Sequence, residues 1–139
     1  MSEQVLTGLR IAAALLRDGA APDDAAHALG AVPDDGDPSD RLILVTPPHP
    51  PWSLVQVQAG ADGALAGLLL DLPDGAAVPL AALVPVLGEA GGVDRTPDAS
   101  TGHVLYDSPE LGCRVRAELE AGPATAAGLR ADRFALIPH

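Results

Sequence analysis

The chain has 139 residues, and its 19 acidic residues outnumber the 8 basic ones to give a formal net charge of −11. This length predicts one domain, and a 47% apolar composition argues against disorder. The charge disfavours phosphate-mediated nucleic-acid binding and adsorption to anionic membranes. It is compatible with a basic protein partner, although we favour the interpretation that acidity only maintains solubility.

The cysteine count and the N-terminal sequence bear on the cellular compartment. Cys113 is the only cysteine, so an internal disulfide is excluded, and its place in an alternating strand indicates a buried small side chain. No basic segment followed by an apolar run and a cleavage site is evident at the N-terminus. The basic residues are all arginine, which indicates a GC-rich, bacterial genome. We expect a cytoplasmic bacterial protein.

Three segments have helical features. Val5, Leu9, Ala12 and Leu16 recur at helical spacing, which predicts an amphipathic first helix that packs on a sheet or on another subunit. A second helix is predicted from Pro22 to Gly30, and a third from Pro79 to Leu87, in which Pro85 should kink or shorten the helix.

Six segments are predicted to form strands, because they are short apolar or alternating runs bounded by turn residues. They are residues 41–46, 52–59, 64–72, 103–107, 113–120 and 129–137. The segment 113–120 places Cys113, Val115, Ala117 and Leu119 on one face and charged residues on the other. Segments 33–40 and 91–102 are predicted to be loops.

The two halves of the chain have similar layouts. Leu29-Gly30 and Leu87-Gly88 are separated by 58 residues, and three strands follow each pair at offsets of 61 to 65 residues. These offsets are consistent with half-repeats at 2–74 and 78–137, although chance explains them equally well. The predicted fold is a single α+β domain spanning 1–139. It has an antiparallel sheet of five to six strands with helices on one face, and a tandem αβββ repeat is one way to build it.

A helix that ends in a Leu-Gly step before a loop and antiparallel strands resembles the beta-lactamase-inhibitor-protein and BamE-like module. It also resembles small actinobacterial proteins of the immunity type. The residues that carry the resemblance are His27-Ala28-Leu29-Gly30 and Val86-Leu87-Gly88-Glu89. The resemblance implies a protein that blocks a partner through an exposed sheet face or loops, and it transfers no site residues. Secreted members of that class have signal peptides and disulfides, which this sequence lacks.

Catalytic and metal-binding motifs are weak in this sequence. The four histidines do not have metal-ligand spacing, and one cysteine cannot complete a zinc set. The acidic segment with Gly36 lacks a calcium-loop order, and the chain has no lysine for a phosphate-binding loop. We therefore predict no metal, no cofactor and no catalytic residues, and we lean against an enzyme without excluding one.

The most distinctive string is Pro47-Pro48-His49-Pro50-Pro51-Trp52. Prolines order a loop before binding, and a tryptophan beside them could anchor a partner; the alternative, which we favour, is that Trp52 belongs to the core. The candidate partner-binding residues are Asp34, Asp35, Asp37, Asp40, His49 and Trp52.

The leading hypothesis for function is a non-catalytic acidic domain that binds a protein, as an immunity, inhibitor or accessory protein does. The main alternative is a small-molecule-binding protein or an unusual enzyme. Its pocket would lie between sheet and helices, lined by His27, His103 or Cys113. A homodimer formed through the first helix is a third interpretation. The sequence does not identify the partner, the ligand or the oligomeric state.

Overall fold

The structure is a computed structural model that describes residues 2–31, 42–73, 75–88, 93–95, 102–119 and 130–138. Its helices are α1 (Ser2–Arg17), α2 (Pro22–Leu29) and α3 (Leu80–Leu87). Its strands are β1 (Leu42–Val45), β2 (Leu54–Ala59), β3 (Leu65–Asp71), β4 (Val78–Pro79), β5 (Val93–Arg95), β6 (Gly102–Ser108), β7 (Cys113–Leu119) and β8 (Arg130–Ile137). Each helix in the described ranges is too short or too polar to cross a membrane.

The strands form one antiparallel sheet in the order β1-β2-β3-β8-β7-β6-β5, and the short β4 pairs with β8. The predicted α+β class, with an antiparallel sheet and helices on one face, is confirmed. The sheet gains two short strands beyond the six predicted ones. One of them, β5, lies within 91–102, so the prediction of a loop throughout that segment is wrong. Three residues are too few for an alternation pattern to be visible in the sequence.

The third strand of each predicted half, β3 and β8, pair at the middle of the sheet. The remaining strands of each half extend outward from this pair, β2 and β1 on one side and β7 and β6 on the other. Two αβββ units that joined at their last strands would produce this order. The half-repeat stays a prediction.

All three helices pack on the same face of the sheet. α1 contacts β3, β7 and β8, α2 contacts β1 and β2, and α3 contacts β4 and β6. The apolar stripe of α1 is buried in the same core as the inward-facing residues of the strands. α3 continues through Pro85 to Leu87, and Pro79 lies before it in β4 rather than in the helix.

Trp52 and Phe134 contact each other beneath α1. Their ring centroids are 6.1 Å apart with planes at 70°, an edge-to-face arrangement that aromatic rings favour. A Cβ atom at Gly8 of α1 would lie 2.8 Å from Cζ2 of Trp52. Gly8 therefore allows the helix backbone to approach the indole ring closely.

Candidate functional site

The face of the sheet opposite the helices is exposed, and we call it the open face. Strand alternation and register place a band of side chains across it, one from each of the six strands β1, β2, β3, β8, β7 and β6. The band runs Leu44, Gln56, Leu69, Ala135, Arg116 and Leu105. In the described part of the chain, six large apolar residues are exposed, and four of them lie on this face: Leu42, Leu44, Leu105 and Ile137.

A second band on the open face carries charge. Asp71 of β3 is opposite Arg133 of β8, which is opposite Glu118 of β7. Nε of Arg133 donates a hydrogen bond to Oδ1 of Asp71 at 3.0 Å, and Nη1 donates to Oε2 of Glu118 at 3.3 Å. The hydrogen bond to Asp71 and the negative charge of that carboxylate raise the pKa of Arg133 above its ordinary value. The guanidinium is thus held between two carboxylates.

Six described charges on the open face balance one another. Three arginines (Arg114, Arg116 and Arg133) lie among three carboxylates (Asp71, Asp107 and Glu118). These six charges cancel, so the net charge of −11 arises from the rest of the chain. This part of the open face is therefore charge-balanced and partly apolar, on a strongly acidic protein.

A cavity of about 420 Å³ opens where the charged band meets the end of β3. It is lined by Ser53, Asp71, Leu72, Pro73, Asp132 and Arg133. The backbone around it is fixed by two hydrogen bonds: Ser53 N donates to the Asp71 carbonyl, and Leu72 N donates to the Asp132 carbonyl, both at 2.8 Å. Because Asp71 and Arg133 line it, the cavity adjoins the open face rather than the sheet–helix core.

The predicted site residues fall in different places. Asp34, Asp35, Asp37 and Asp40 lie outside the described residues. His49 is exposed, and its backbone N–H donates to the carbonyl of Leu29 at the end of α2, at 2.8 Å. Trp52 is only 5% exposed and packs in the core, as the favoured interpretation of that residue expected.

The residues suggested for a pocket between sheet and helices do not line the described cavity. His27 is exposed on α2, His103 lies on the open face of β6, and Cys113 is buried in the core. No group of three or more His, Cys, Asp or Glu residues in the described ranges is arranged to hold a metal ion. Every buried side-chain nitrogen or oxygen in those ranges has a hydrogen-bond partner.

Cys113 provides a test of this core. Burial raises the pKa of its thiol, and the nearby positive charge of Arg17 offsets this only in part. Only the thiolate reacts with alkylating reagents. We expect iodoacetamide to label the folded protein at pH 8 about 100-fold more slowly than the urea-unfolded chain, because labelling requires opening of the core. Mass spectrometry over time measures both rates, and equal rates would show that Cys113 is accessible.

The strand register explains why the sequence did not predict that the open-face residues form one surface. The alternation in β7 correctly placed Arg114, Arg116 and Glu118 on one face. However, Asp71 and Arg133 are 62 positions apart, and only the pairing of β3 with β8 brings them together. No local pattern in the sequence indicates that pairing.

Comparison with known proteins shows a distant structural similarity. No protein-family profile and no curated protein matches the chain. The fold is similar to the crystal structure of a DUF4309 family protein (YjgB) from Bacillus subtilis, with a TM-score of 0.50 and 15% sequence identity. The match covers 84% of this chain and 77% of that protein. At this identity the similarity concerns the fold alone, and the beta-lactamase-inhibitor-protein and BamE-like resemblance stays a prediction.

Proposed function

We propose that this chain is a non-catalytic binding domain whose open face docks a basic partner protein. The observation that carries the proposal is the charge-balanced, partly apolar open face on a chain with a net charge of −11. Protein interfaces combine an apolar, charge-depleted centre with a polar rim, and exposed apolar patches on a charged protein mark such surfaces.

The distribution of charge supports a basic partner. The acidic excess lies outside the balanced charges of the open face, so it attracts a basic protein without placing unpaired charge in the contact. A second copy of this chain is disfavoured, because two molecules each carrying −11 repel one another. A homodimer through α1 receives little support, since the apolar stripe of that helix is buried on the sheet.

The predicted partner-binding residues have different roles in this proposal. The acidic residues Asp34, Asp35, Asp37 and Asp40 contribute to the attraction of a basic partner, and exposed His49 is available for contact. Trp52 acts only through the core, since it is buried. Immunity, inhibitor or accessory function in the bacterial cytoplasm is the biological form that we propose for this binding.

The test compares two substitutions that add the same charge at equally exposed positions. Leu44 on the open face and Ile11 on α1 are each 48% exposed. We expect Leu44→Glu to weaken capture of a basic partner by about 30-fold, since an apolar contact that dominates an interface is worth about 2 kcal/mol. The matched control, Ile11→Glu, should change affinity by less than about twofold, because α1 lies on the opposite side of the sheet.

The partner is obtained by affinity capture from lysate of the source organism, identified by mass spectrometry and then expressed for titration calorimetry. The proposal requires a protein of high isoelectric point whose affinity falls with salt, because salt screens the charge attraction. Equal weakening by both substitutions, or a partner that binds Leu44→Glu normally, would place the interface elsewhere. Failure to capture any basic protein would count against the proposal itself.

A further inference from the structure

The open face divides into two halves of different chemistry. On β1, β2 and β3 its positions carry one charged side chain, Asp71, which lies at the boundary and is bound to Arg133 of β8. The other positions on these three strands hold Gly67 and six leucine and glutamine side chains. We call these six the neutral half: Leu42, Leu44, Leu54, Gln56, Gln58 and Leu69. A contact made over the neutral half covers no charged side chain.

The open-face positions of β7 and β6 form the charged half. Arg114, Arg116 and Glu118 occupy those of β7, and the register places Asp107 opposite Arg114. Glu118 is paired with Arg116 at 3.9 Å and with Arg133 at 3.3 Å. The side chains of Arg116 and Glu118 are still 46% and 37% exposed to water. A partner lying over them would remove that water, and the cost of desolvating an ion pair can exceed the attraction between its charges.

The neutral half favours a partner surface that is itself uncharged. Leu42 and Leu44 are each about half exposed, and their burial against apolar groups stabilises a complex in proportion to the area covered. The amides of Gln56 and Gln58 can donate and accept hydrogen bonds without introducing charge. A lysine or arginine pressed onto this half would lose its hydration and meet no unpaired carboxylate there.

We infer that the basic partner docks on the neutral half through an apolar, uncharged patch of its own, and that its lysine and arginine residues surround that patch. The inference rests on the proposed function and specifies the chemistry of the partner's contact surface. Charge then acts outside the contact, because the net charge of −11 attracts the surrounding basic residues and accelerates association. The apolar contact determines how slowly the complex dissociates. The charged half stays hydrated beside it.

The direction of one charge effect tests the inference. Gln56→Glu adds a carboxylate of nearly unchanged size in the neutral half, and Gln4→Glu adds the same charge at an exposed position of α1. The probe is the basic protein that the unaltered chain captures, and surface plasmon resonance measures its association and dissociation rate constants. We expect Gln56→Glu to raise the dissociation rate constant about tenfold, because the new carboxylate is buried without a cation. Gln4→Glu should change it by less than about twofold.

A second pair of variants locates the contact on the sheet. Leu44→Ala should raise the dissociation rate constant about tenfold, whereas Leu105→Ala in the charged half should change it by less than about twofold. Leu44 and Leu105 lie in the same band and are 48% and 56% exposed, so the two substitutions remove comparable apolar area. Both positions are on the surface, so neither substitution should unfold the chain.

Tighter binding by Gln56→Glu would overturn the inference, since it would show that the partner brings basic residues to this half. Equal effects of Leu44→Ala and Leu105→Ala would also overturn it, because the contact would then extend over the whole open face or lie elsewhere. Each of these results still requires a captured basic partner. Failure to capture a basic protein is the separate result that counts against the proposed function and, with it, against this inference.

Discussion

Replacement of Phe134 by alanine is expected to lower the free energy of unfolding by about 3–5 kcal/mol, the usual cost of deleting a buried aromatic ring. Phe134 is fully buried on β8, between its neighbours Leu70 on β3 and Ala117 on β7. Its ring also makes the edge-to-face contact with Trp52. The chain has only one Phe, one Tyr and one Trp, so few large side chains are present to compensate for the lost ring.

Urea unfolding followed by far-ultraviolet circular dichroism measures this loss. The control is Leu105→Ala on the open face, where the side chain is 56% exposed and its removal should cost less than about 0.5 kcal/mol. Similar losses at the two positions would contradict the arrangement of a single core between the sheet and the helices. Tryptophan fluorescence adds a second observation, since Trp52 should become more exposed in the Phe134→Ala variant.

Replacement of Gly30 by alanine is expected to lower the free energy of unfolding less than Phe134→Ala does, but more than Leu105→Ala does. A Cβ atom at Gly30 would lie 2.5 Å from the carbonyl oxygen of Pro47 and 2.8 Å from Cα of Pro48. These are backbone atoms, and hydrogen bonds hold them in place, since Ala31 N donates to Pro47 O and His49 N donates to Leu29 O. The substitution therefore forces the proline segment away from α2, at a cost of about 1–3 kcal/mol.

Gly88 provides a matched control, because it occupies the corresponding Leu-Gly step in the second half of the chain. Its φ of +78° is in the left-handed region, yet a Cβ atom there would meet nothing within 4 Å. Gly88→Ala should cost about 1 kcal/mol from the backbone conformation alone. Thermal unfolding of the two variants compares these costs. A larger loss at Gly88 than at Gly30 would show that close approach at the proline segment is not what requires glycine.

The two Leu-Gly steps show the limit of a short sequence motif. They look equivalent in the sequence, and they carried both the half-repeat and the resemblance. In the structure, Gly30 allows backbone contact with another segment, whereas Gly88 permits a positive φ after α3. The same two letters therefore serve different physical purposes, which a single sequence does not distinguish.

The sequence by itself determined the elements and their buried sides. Periodicity identified α1 and six of the strands to within a few residues, because a side chain's burial depends on its spacing along one element. The alternation in β7 separated Cys113 and Val115 from Arg114 and Arg116 for the same reason. Composition also indicated that Trp52 belongs to the core, since few other large side chains could fill it.

Only the tertiary structure decided which strands are neighbours, and the candidate site depends on that. Asp71 and Arg133 meet because β3 pairs with β8, and Leu44 and Leu105 lie on one surface because the sheet is continuous between β1 and β6. Strand pairing depends on the packing of the whole chain, so local spacing does not determine it. The short β5 was not predicted for a related reason, because its three residues acquire strand conformation from their pairing with β6.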